Sequence, residues 1–276
     1  MPPPAEVPHG HARRGPFRAV LFDFDGTLSL IREGWPRVMV GMMVEILRAG
    51  GLGPEPEEEL WGHVERFVMA LNGHPTIRQA ERFADEIRSR GGRPEEPAVY
   101  LREYLDRLMS VVRQRWELLE TGRARAAAWV VPNAHAILRN LRARGVPLFV
   151  ASGTDFESVS HEAALLEVAE FFGSEVNAPR GGDPSFSKAD VIARVVRELG
   201  IRGDELLGFG DGVVETQAVR AAGGVAVGVA SAEPGQAGVN PDKRARLAAA
   251  GADLIIPDYG AQETLIAWLF GEQPVL

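Results

Sequence analysis

The sequence predicts an α/β protein in which a doubly wound parallel sheet is interrupted by an all-helical second domain. Three observations support this: short apolar runs that end in polar or acidic residues, helical patterns that alternate with those runs, and one long stretch that contains helical patterns alone. Alternating strands and helices are typical of parallel sheets with helices on both faces. The length of 276 residues suits one large domain or two.

Residues 1–16 are predicted to form a disordered leader. They are rich in proline, glycine, histidine and arginine, and they lack the apolar segment of a secretory signal. No uninterrupted apolar run in the chain approaches the roughly 18 residues that span a bilayer. We therefore expect a soluble, cytoplasmic protein without a membrane partner.

Short apolar runs after the leader are predicted to be strands. They cover residues 19–22, 146–151, 206–209, 225–229 and 254–256. Continuous apolar character is typical of parallel strands that are buried on both faces. Because ligands of such sheets bind outside the carboxyl ends of the strands, we expect the polar residues that follow these runs to form a functional site.

Helical patterns fill the intervals between the runs and also replace them over one long stretch. The clearest patterns between runs cover residues 133–144, 188–199 and 215–222, each closed by or near a glycine. Residues 30–131 contain no convincing strand, and four helical patterns fall within them. These patterns cover residues 35–49, 57–71, 76–90 and 98–119.

The predicted domains follow from this interruption. We expect residues 30–131 to form a helical cap, and residues 17–29 together with 132–276 to form the core domain.

Composition limits the chemistry that the protein can perform. Hydrophobic residues make up 45% of the chain and charged residues 25%, as in ordinary globular proteins. The absence of cysteine excludes disulfides, thiolate nucleophiles and cysteine metal sites. A net charge of -8 disfavours nucleic acid as a partner, so a phosphate-bearing substrate would need a local cation or basic residue. Only Lys188 and Lys243 are lysines, and the other 28 of the 30 basic residues are arginines.

Two carboxylates, Asp23 and Asp25, follow the first predicted strand one residue apart. Strand alternation alone would direct them to opposite faces, so the chain must turn for both to serve one site. Gly26 makes such a turn plausible. An acid at the end of a strand also caps helices, so the pair alone leaves a structural and a chemical role open.

Four ordered segments resemble those of the haloacid dehalogenase (HAD) superfamily, specifically its phosphatase-type hydrolases with a helical cap inserted after the first motif. The segments are Asp23-Phe24-Asp25-Gly26-Thr27-Leu28, Ser152-Gly153-Thr154, Lys188, and Gly210-Asp211-Gly212-Val213-Val214-Glu215. The resemblance implies a Rossmann-like core, Mg²⁺ as cofactor and phosphate-ester hydrolysis, but it names no substrate.

The resemblance also implies catalytic roles for three residues. Asp23 would be the nucleophile that forms an aspartyl-phosphate, and Asp25 would protonate the leaving oxygen and then deprotonate the attacking water. Dehalogenases and phosphonate-cleaving relatives lack an acid at the position of Asp25. Its presence here therefore favours phosphate esters as substrates. Lys188 would neutralise charge on the transferred phosphoryl group. A lysine at the start of a helix is otherwise a solvated surface charge.

A magnesium site is expected among the acids of these segments, because a nucleophilic carboxylate and a phosphoryl group repel each other. Mg²⁺ prefers about six oxygen ligands. Asp23 and Asp211 would be ligands through their side chains, and Asp25 through its backbone carbonyl. Glu215, where the family often has aspartate, could bind the metal directly, act through water, or only start a helix.

Phosphate contacts are expected from Thr27, Ser152, Gly153 and Lys188. Hydroxyl and backbone N–H groups at a helix N-terminus hold phosphate oxygens well. For Ser152 the alternative role is that of an ordinary helix cap. Thr154 is a weaker candidate for phosphate binding.

Substrate specificity is expected to lie mainly in the cap and beside it. Arg32 follows the nucleophile segment and could form a bidentate pair with a substrate anion, although a surface arginine is an equally good interpretation. His74 and Thr76 belong to a polar loop between two helical patterns. The alternative there is a plain turn in which Thr76 caps the next helix.

The leading functional hypothesis is a Mg²⁺-dependent phosphomonoesterase that acts on a small phosphorylated metabolite, for example a sugar phosphate. A phosphomutase of the β-phosphoglucomutase kind would use the same Asp23 and Asp25. A non-catalytic ligand-binding module on the same fold is the alternative from another class, since fold does not fix function. The sequence does not predict the oligomeric state.

Overall fold

The computed structural model describes residues 5–10, 12–72, 75–181, 183, 185–232 and 238–272. Within these residues one parallel sheet is formed by β1 (Ala19–Phe22), β2 (Leu148–Ala151), β3 (Val176–Asn177), β4 (Leu206–Gly210), β5 (Val225–Val229) and β6 (Leu254–Ile256). The strand order is β3-β2-β1-β4-β5-β6, and every neighbouring pair is parallel. The order reverses beside β1, as in doubly wound sheets. The predicted α/β class is thus confirmed.

Helices occupy most of the remaining described chain. They are α1 (Trp35–Ala49), α2 (Glu57–Ala70), α3 (Ile77–Ser89), α4 (Pro97–Glu120), α5 (Ala134–Ala143), α6 (Phe156–Leu165), α7 (Lys188–Leu199), α8 (Val213–Ala221), α9 (Pro241–Ala249) and α10 (Gln262–Leu269). Among the described residues, none of these helices combines the length and the apolar character needed to cross a membrane.

Four elements were not predicted from the sequence. Strand β3 has two half-buried residues, too few to produce a recognisable apolar run. Helices α6, α9 and α10 have 10, 9 and 8 residues, and their apolar residues form a weaker helical stripe than those of the equally short α5, which the sequence does predict.

The chain divides into two compact units. One consists of Met1–Glu33 with Leu118–Leu276, and the other of Gly34–Glu117. The helical unit is therefore shorter than the predicted cap at both ends. The reason is a set of backbone contacts: Ser29 forms an antiparallel bridge with Val130, and the N–H of Leu30 donates to the carbonyl of Trp129 over 2.8 Å. These contacts keep both ends of the insertion in the sheet unit.

Part of the segment predicted as a disordered leader contacts the sheet unit. Glu6 forms an antiparallel bridge with Ile255, and its carboxylate accepts hydrogen bonds from Arg244 at 2.6 and 2.7 Å. Further along, the N–H of Gly15 donates to the carbonyl of Leu269 over 3.1 Å. The bridge to Ile255 lies on the edge strand β6, where unpaired backbone groups are available.

The strand register brings the polar residues to one edge of the sheet. Phe22 lies opposite Val150 of β2 and Phe209 of β4, so the residues after all three strands emerge together. The rings of Phe22 and Phe209 stack with centroids 4.9 Å apart. Burying one such ring contributes about 1.5–3 kcal/mol to folding. The strand ends that carry the candidate site therefore rest on a packed core.

The helical unit has its own core and a buried ionic group. Glu86 on α3 is 5% exposed, and its carboxylate lies 2.8 Å from Arg82, Arg90 and His63. Although burial opposes it, hydrogen bonds from these three partners lower the pKa of Glu86 to about 2. Because the pKa of Glu86 is lower in the folded protein than in the unfolded chain, its ionised carboxylate stabilises the fold at pH values above 4.5. This stabilisation is lost as the pH falls towards 2.

We expect Glu86→Gln to destabilise the helical unit by about 1–3 kcal/mol at pH 7, because three cationic or polar partners lose an acceptor. The difference from the wild-type protein should shrink as the pH falls from about 4.5 to about 2. Urea unfolding followed by circular dichroism would measure both effects. Glu81→Gln is the matched control, since Glu81 lies on the same helix and pairs with Arg78 at an exposed position. Equal losses for the two variants would contradict the prediction.

Candidate active site

Asp23 is held at the end of the central strand β1. Its own N–H donates to the carbonyl of Phe209 over 2.9 Å, and its Oδ1 accepts from the N–H of Phe24 over 2.8 Å. The side chain is buried. This burial raises the pKa of Asp23 well above its usual value, with Lys188 opposing the shift and Glu215 and Asp211 adding to it.

Lys188 is brought to Asp23 by the start of α7. Ser187 caps this helix by accepting a hydrogen bond from the N–H of Asp190 over 3.4 Å. The Lys188 Nζ lies 2.9 Å from Asp23 Oδ1 and 3.1 Å from Glu215 Oε2. Although burial opposes it, these two carboxylates raise the pKa of Lys188. The lysine is therefore a mostly buried ammonium group that bridges two carboxylates, and not a solvated surface charge.

Three carboxylates form what we call the acidic cluster: Asp23, Asp211 and Glu215. One oxygen from each lies within 4.8 Å of the others. Glu215 also caps α8, because its Oε1 accepts a hydrogen bond from the N–H of Gly212. Although burial opposes it, Lys188 and these backbone hydrogen bonds lower the pKa of Glu215. The helix-start and cluster roles of Glu215 are thus compatible.

Gly26 provides the space into which Asp211 fits. Its φ of +74° is in the left-handed region, and a Cβ built there would lie 2.1 Å from Asp211 Oδ2. Any other residue would displace Asp211 as well as strain the turn. The turn that the sequence predicts at Gly26 therefore requires a glycine, both for its left-handed backbone and for the space that Asp211 occupies.

Lys243 was not predicted as a site residue. It lies in the first turn of α9, and its Nζ is 2.7 Å from Glu33 Oε1, 3.0 Å from Asp211 Oδ2 and 3.1 Å from Ser231 Oγ. The side chain is buried. Both lysines of the chain therefore reach the acidic cluster. The signal that the sequence did carry for Lys243 is rarity, since it is one of only two lysines among 30 basic residues.

Asp25 has a separate set of partners. Thr154 Oγ1 donates to Asp25 Oδ2 over 2.7 Å, and Arg32 Nε lies 3.7 Å from Asp25 Oδ1. The Asp25 side chain is 28% exposed, in contrast to the buried Asp23. The two carboxylates that are one residue apart in sequence therefore have different surroundings: Asp23 is buried beside Lys188, and Asp25 is partly exposed beside Thr154 and Arg32.

The predicted phosphate ligands follow the first two strands. Thr27 is fully buried, and its Oγ1 has no hydrogen-bond partner among the described residues. The Ser152 side chain is buried as well, and its Oγ accepts from the N–H of Thr154 over 3.1 Å. Gly153 is exposed. The helix α6 is capped by Asp155, which leaves Ser152 free of that structural role.

The three residues predicted to contact substrate, Arg32, Thr76 and His74, differ in what the structure shows of them. Arg32 is mostly buried, and its Nη2 donates to the fully buried Glu162 over 2.7 Å in addition to facing Asp25. Thr76 precedes α3 at the N-cap position, but its side chain makes no capping hydrogen bond. His74 lies outside the described residues.

The donor set of the acidic cluster fits a hard divalent cation. It offers carboxylate oxygens alone, which Mg²⁺ prefers, and the described residues place no histidine among them.

Known structures share this architecture. A predicted phosphoglycolate phosphatase from Haemophilus somnus 129pt is 18% identical, with 91% of this chain and 98% of that chain aligned at a TM-score of 0.60. A HAD family hydrolase from Deinococcus radiodurans R1, solved with bound phosphate and sodium, is 20% identical over 95% and 100% of the two chains, with a TM-score of 0.58. At these identities the likeness concerns the fold.

A third similar structure is the β-phosphoglucomutase of Clostridium difficile, which is 12% identical over 92% of this chain and 99% of that chain, with a TM-score of 0.57. No curated protein sequence matches the chain. Residues 17–223 match the family described as haloacid dehalogenase-like hydrolase. This match spans most of the chain and confirms the resemblance found in the four sequence segments: the protein belongs to the haloacid dehalogenase-like hydrolases.

Proposed function

We propose that the protein is a Mg²⁺-dependent phosphomonoester hydrolase that acts on a small phosphorylated metabolite, such as a sugar phosphate, through an aspartyl-phosphate on Asp23. The observation that carries the proposal is the Lys188 ammonium between Asp23 and Glu215, at 2.9 and 3.1 Å. These contacts hold the carboxylate in one orientation, and the same cation can balance the charge of a phosphoryl group.

Asp23, Asp211 and Glu215, with the backbone carbonyl of Asp25, would hold the metal. When bound, Mg²⁺ supplies positive charge that reduces the repulsion between a carboxylate and a phosphate ester.

The chain's own residues then carry out two displacements. A carboxylate oxygen of Asp23 attacks phosphorus, and the bond between phosphorus and the ester oxygen breaks. Asp25, in its protonated form, donates its proton to the departing ester oxygen. In the second step Asp25 takes a proton from water, the water oxygen attacks phosphorus, and Asp23 is released with inorganic phosphate. The hydrogen bond from Thr154 and the nearby Arg32 support this role by orienting Asp25.

Phosphate binding is assigned to Thr27, Ser152, Gly153 and Lys188. Thr27 Oγ1, for which the described part of the chain offers no partner, supports this, because a buried hydroxyl without a partner costs about 1–3 kcal/mol and is expected to have a function. Arg32, Thr76 and His74 remain candidates for substrate contacts.

The proposal predicts Mg²⁺-dependent release of inorganic phosphate from at least one ester. The experiment is a panel of sugar phosphates, phosphoglycolate, nucleotides and amino-acid phosphates, each assayed with Mg²⁺ and with a chelator. Release that matches the ester consumed supports a hydrolase. An isomerised ester without free phosphate would instead indicate a phosphomutase, and binding without turnover would indicate a non-catalytic module.

A further inference from the structure

Lys243 makes a set of buried hydrogen bonds beside Asp211, and the proposed mechanism gives this lysine no role. Asn240 caps α9 by accepting from the N–H groups of Asp242 and Lys243, which fixes the first turn of that helix. The Lys243 side chain is 9% exposed. A buried ammonium is stable only when its three N–H groups find acceptors, and Lys243 has three: Glu33 Oε1, Asp211 Oδ2 and Ser231 Oγ.

The third of these contacts continues to the nucleophile loop. Lys243 donates to Ser231 Oγ over 3.1 Å, and Ser231 donates its own hydroxyl proton to the carbonyl of Gly26 over 2.7 Å. Gly26 directly follows Asp25, whose carbonyl is a proposed metal ligand. One side chain therefore constrains two loops that contribute metal ligands, the loop after β1 and the loop after β4.

Asp211 has little freedom between these contacts. A Cβ on Gly26 would lie 2.1 Å from Asp211 Oδ2 and 3.1 Å from Lys243 Nζ, so the carboxylate and the ammonium share the space that the glycine leaves. An ammonium so close to a metal ligand repels a cation by charge alone. A benefit to metal binding must therefore come from geometry.

We propose that Lys243 is a positioning residue that holds Asp211 and, through Ser231, the Gly26 turn in the arrangement that binds the divalent cation. The inference rests on the proposed function, because it concerns the same metal site. Charge and geometry predict opposite results: loss of the lysine charge alone would tighten metal binding, whereas loss of positioning weakens it.

The test measures metal affinity in the absence of substrate. Metal-free full-length protein is titrated with MgCl₂ in a calorimeter, and circular dichroism checks that each variant is folded. Lys243→Met should raise the Kd for Mg²⁺ about tenfold or more, the usual effect of removing a group that orients a metal ligand. Arg244→Met is the matched control, because Arg244 is the next residue of α9 but pairs with Glu6. Its Kd should equal that of the wild type.

Ser231→Ala is the second variant, since it breaks the connection to Gly26 without changing any charge. It should raise the Kd about threefold or more, and it decides the question alone if Lys243→Met does not fold. A Kd equal to or below the wild-type value in a folded variant of either kind would overturn the inference and leave the proposed function intact. A wild-type protein that binds no Mg²⁺ would overturn the proposed metal site and this inference with it.

Discussion

Asp23→Asn should lower phosphate release by about 10⁴-fold or more while the protein stays folded. The amide has nearly the shape of the carboxylate but cannot attack phosphorus, and removal of a nucleophile costs this order of magnitude in related two-step mechanisms. Burial raises the pKa of Asp23 above that of the unfolded chain, so its ionised form opposes folding at neutral pH. We therefore expect the metal-free variant to melt at or above the wild-type temperature. Steady-state phosphate release and thermal unfolding measure the two effects.

Asp253→Asn provides the matched control for this substitution. Asp253 is as buried as Asp23, at 7% against 6% exposed, but it pairs with Arg220 and the N–H of Ala226. Its amide variant should lose about 1–3 kcal/mol of stability and keep wild-type turnover. Wild-type turnover in Asp23→Asn would remove the aspartyl-phosphate from the proposed mechanism.

The parts of the fold that the sequence predicts are those with long or unbroken patterns. Helices α1 and α7 begin and end at the predicted residues, because their apolar faces recur over at least three turns. The runs that became β1 and β5 are buried along their whole length, so burial and sequence pattern coincide. Strand β3 is defined by its pairing with β2 alone, and pairing between distant segments leaves no local pattern.

The candidate site also contains residues that the sequence predicts and one that it does not. Asp23, Lys188, Asp211 and Glu215 lie in recognisable segments, and the structure brings them together. Lys243 lies 32 residues after Asp211 on a helix without a motif, and only its long side chain returns to the site. A sequence pattern records where a backbone turns, but not how far a flexible side chain reaches from it.

Lys188→Met should have the second large effect, on both catalysis and stability. Turnover should fall by about 10²–10³-fold, because charge on the transferred phosphoryl group loses its fixed counter-charge. The free energy of unfolding should fall by about 3–5 kcal/mol, since Asp23 and Glu215 remain buried without their shared cation. Phosphate release and urea unfolding at pH 7 would measure these changes.

The two effects of Lys188 can be separated by a second substitution. In Lys188→Met with Glu215→Gln, one of the two uncompensated charges is gone, so part of the lost stability should return. Because Glu215 is itself a proposed metal ligand, turnover of the double variant is compared with that of Glu215→Gln alone and should be about 10²–10³-fold lower. Turnover equal to that of Glu215→Gln alone would mean that Lys188 acts only by keeping the carboxylates folded in place. Recovery of stability alone is the expected result, because the neutral amide that replaces the Glu215 carboxylate relieves the burial of charge but supplies no cation to the phosphoryl group.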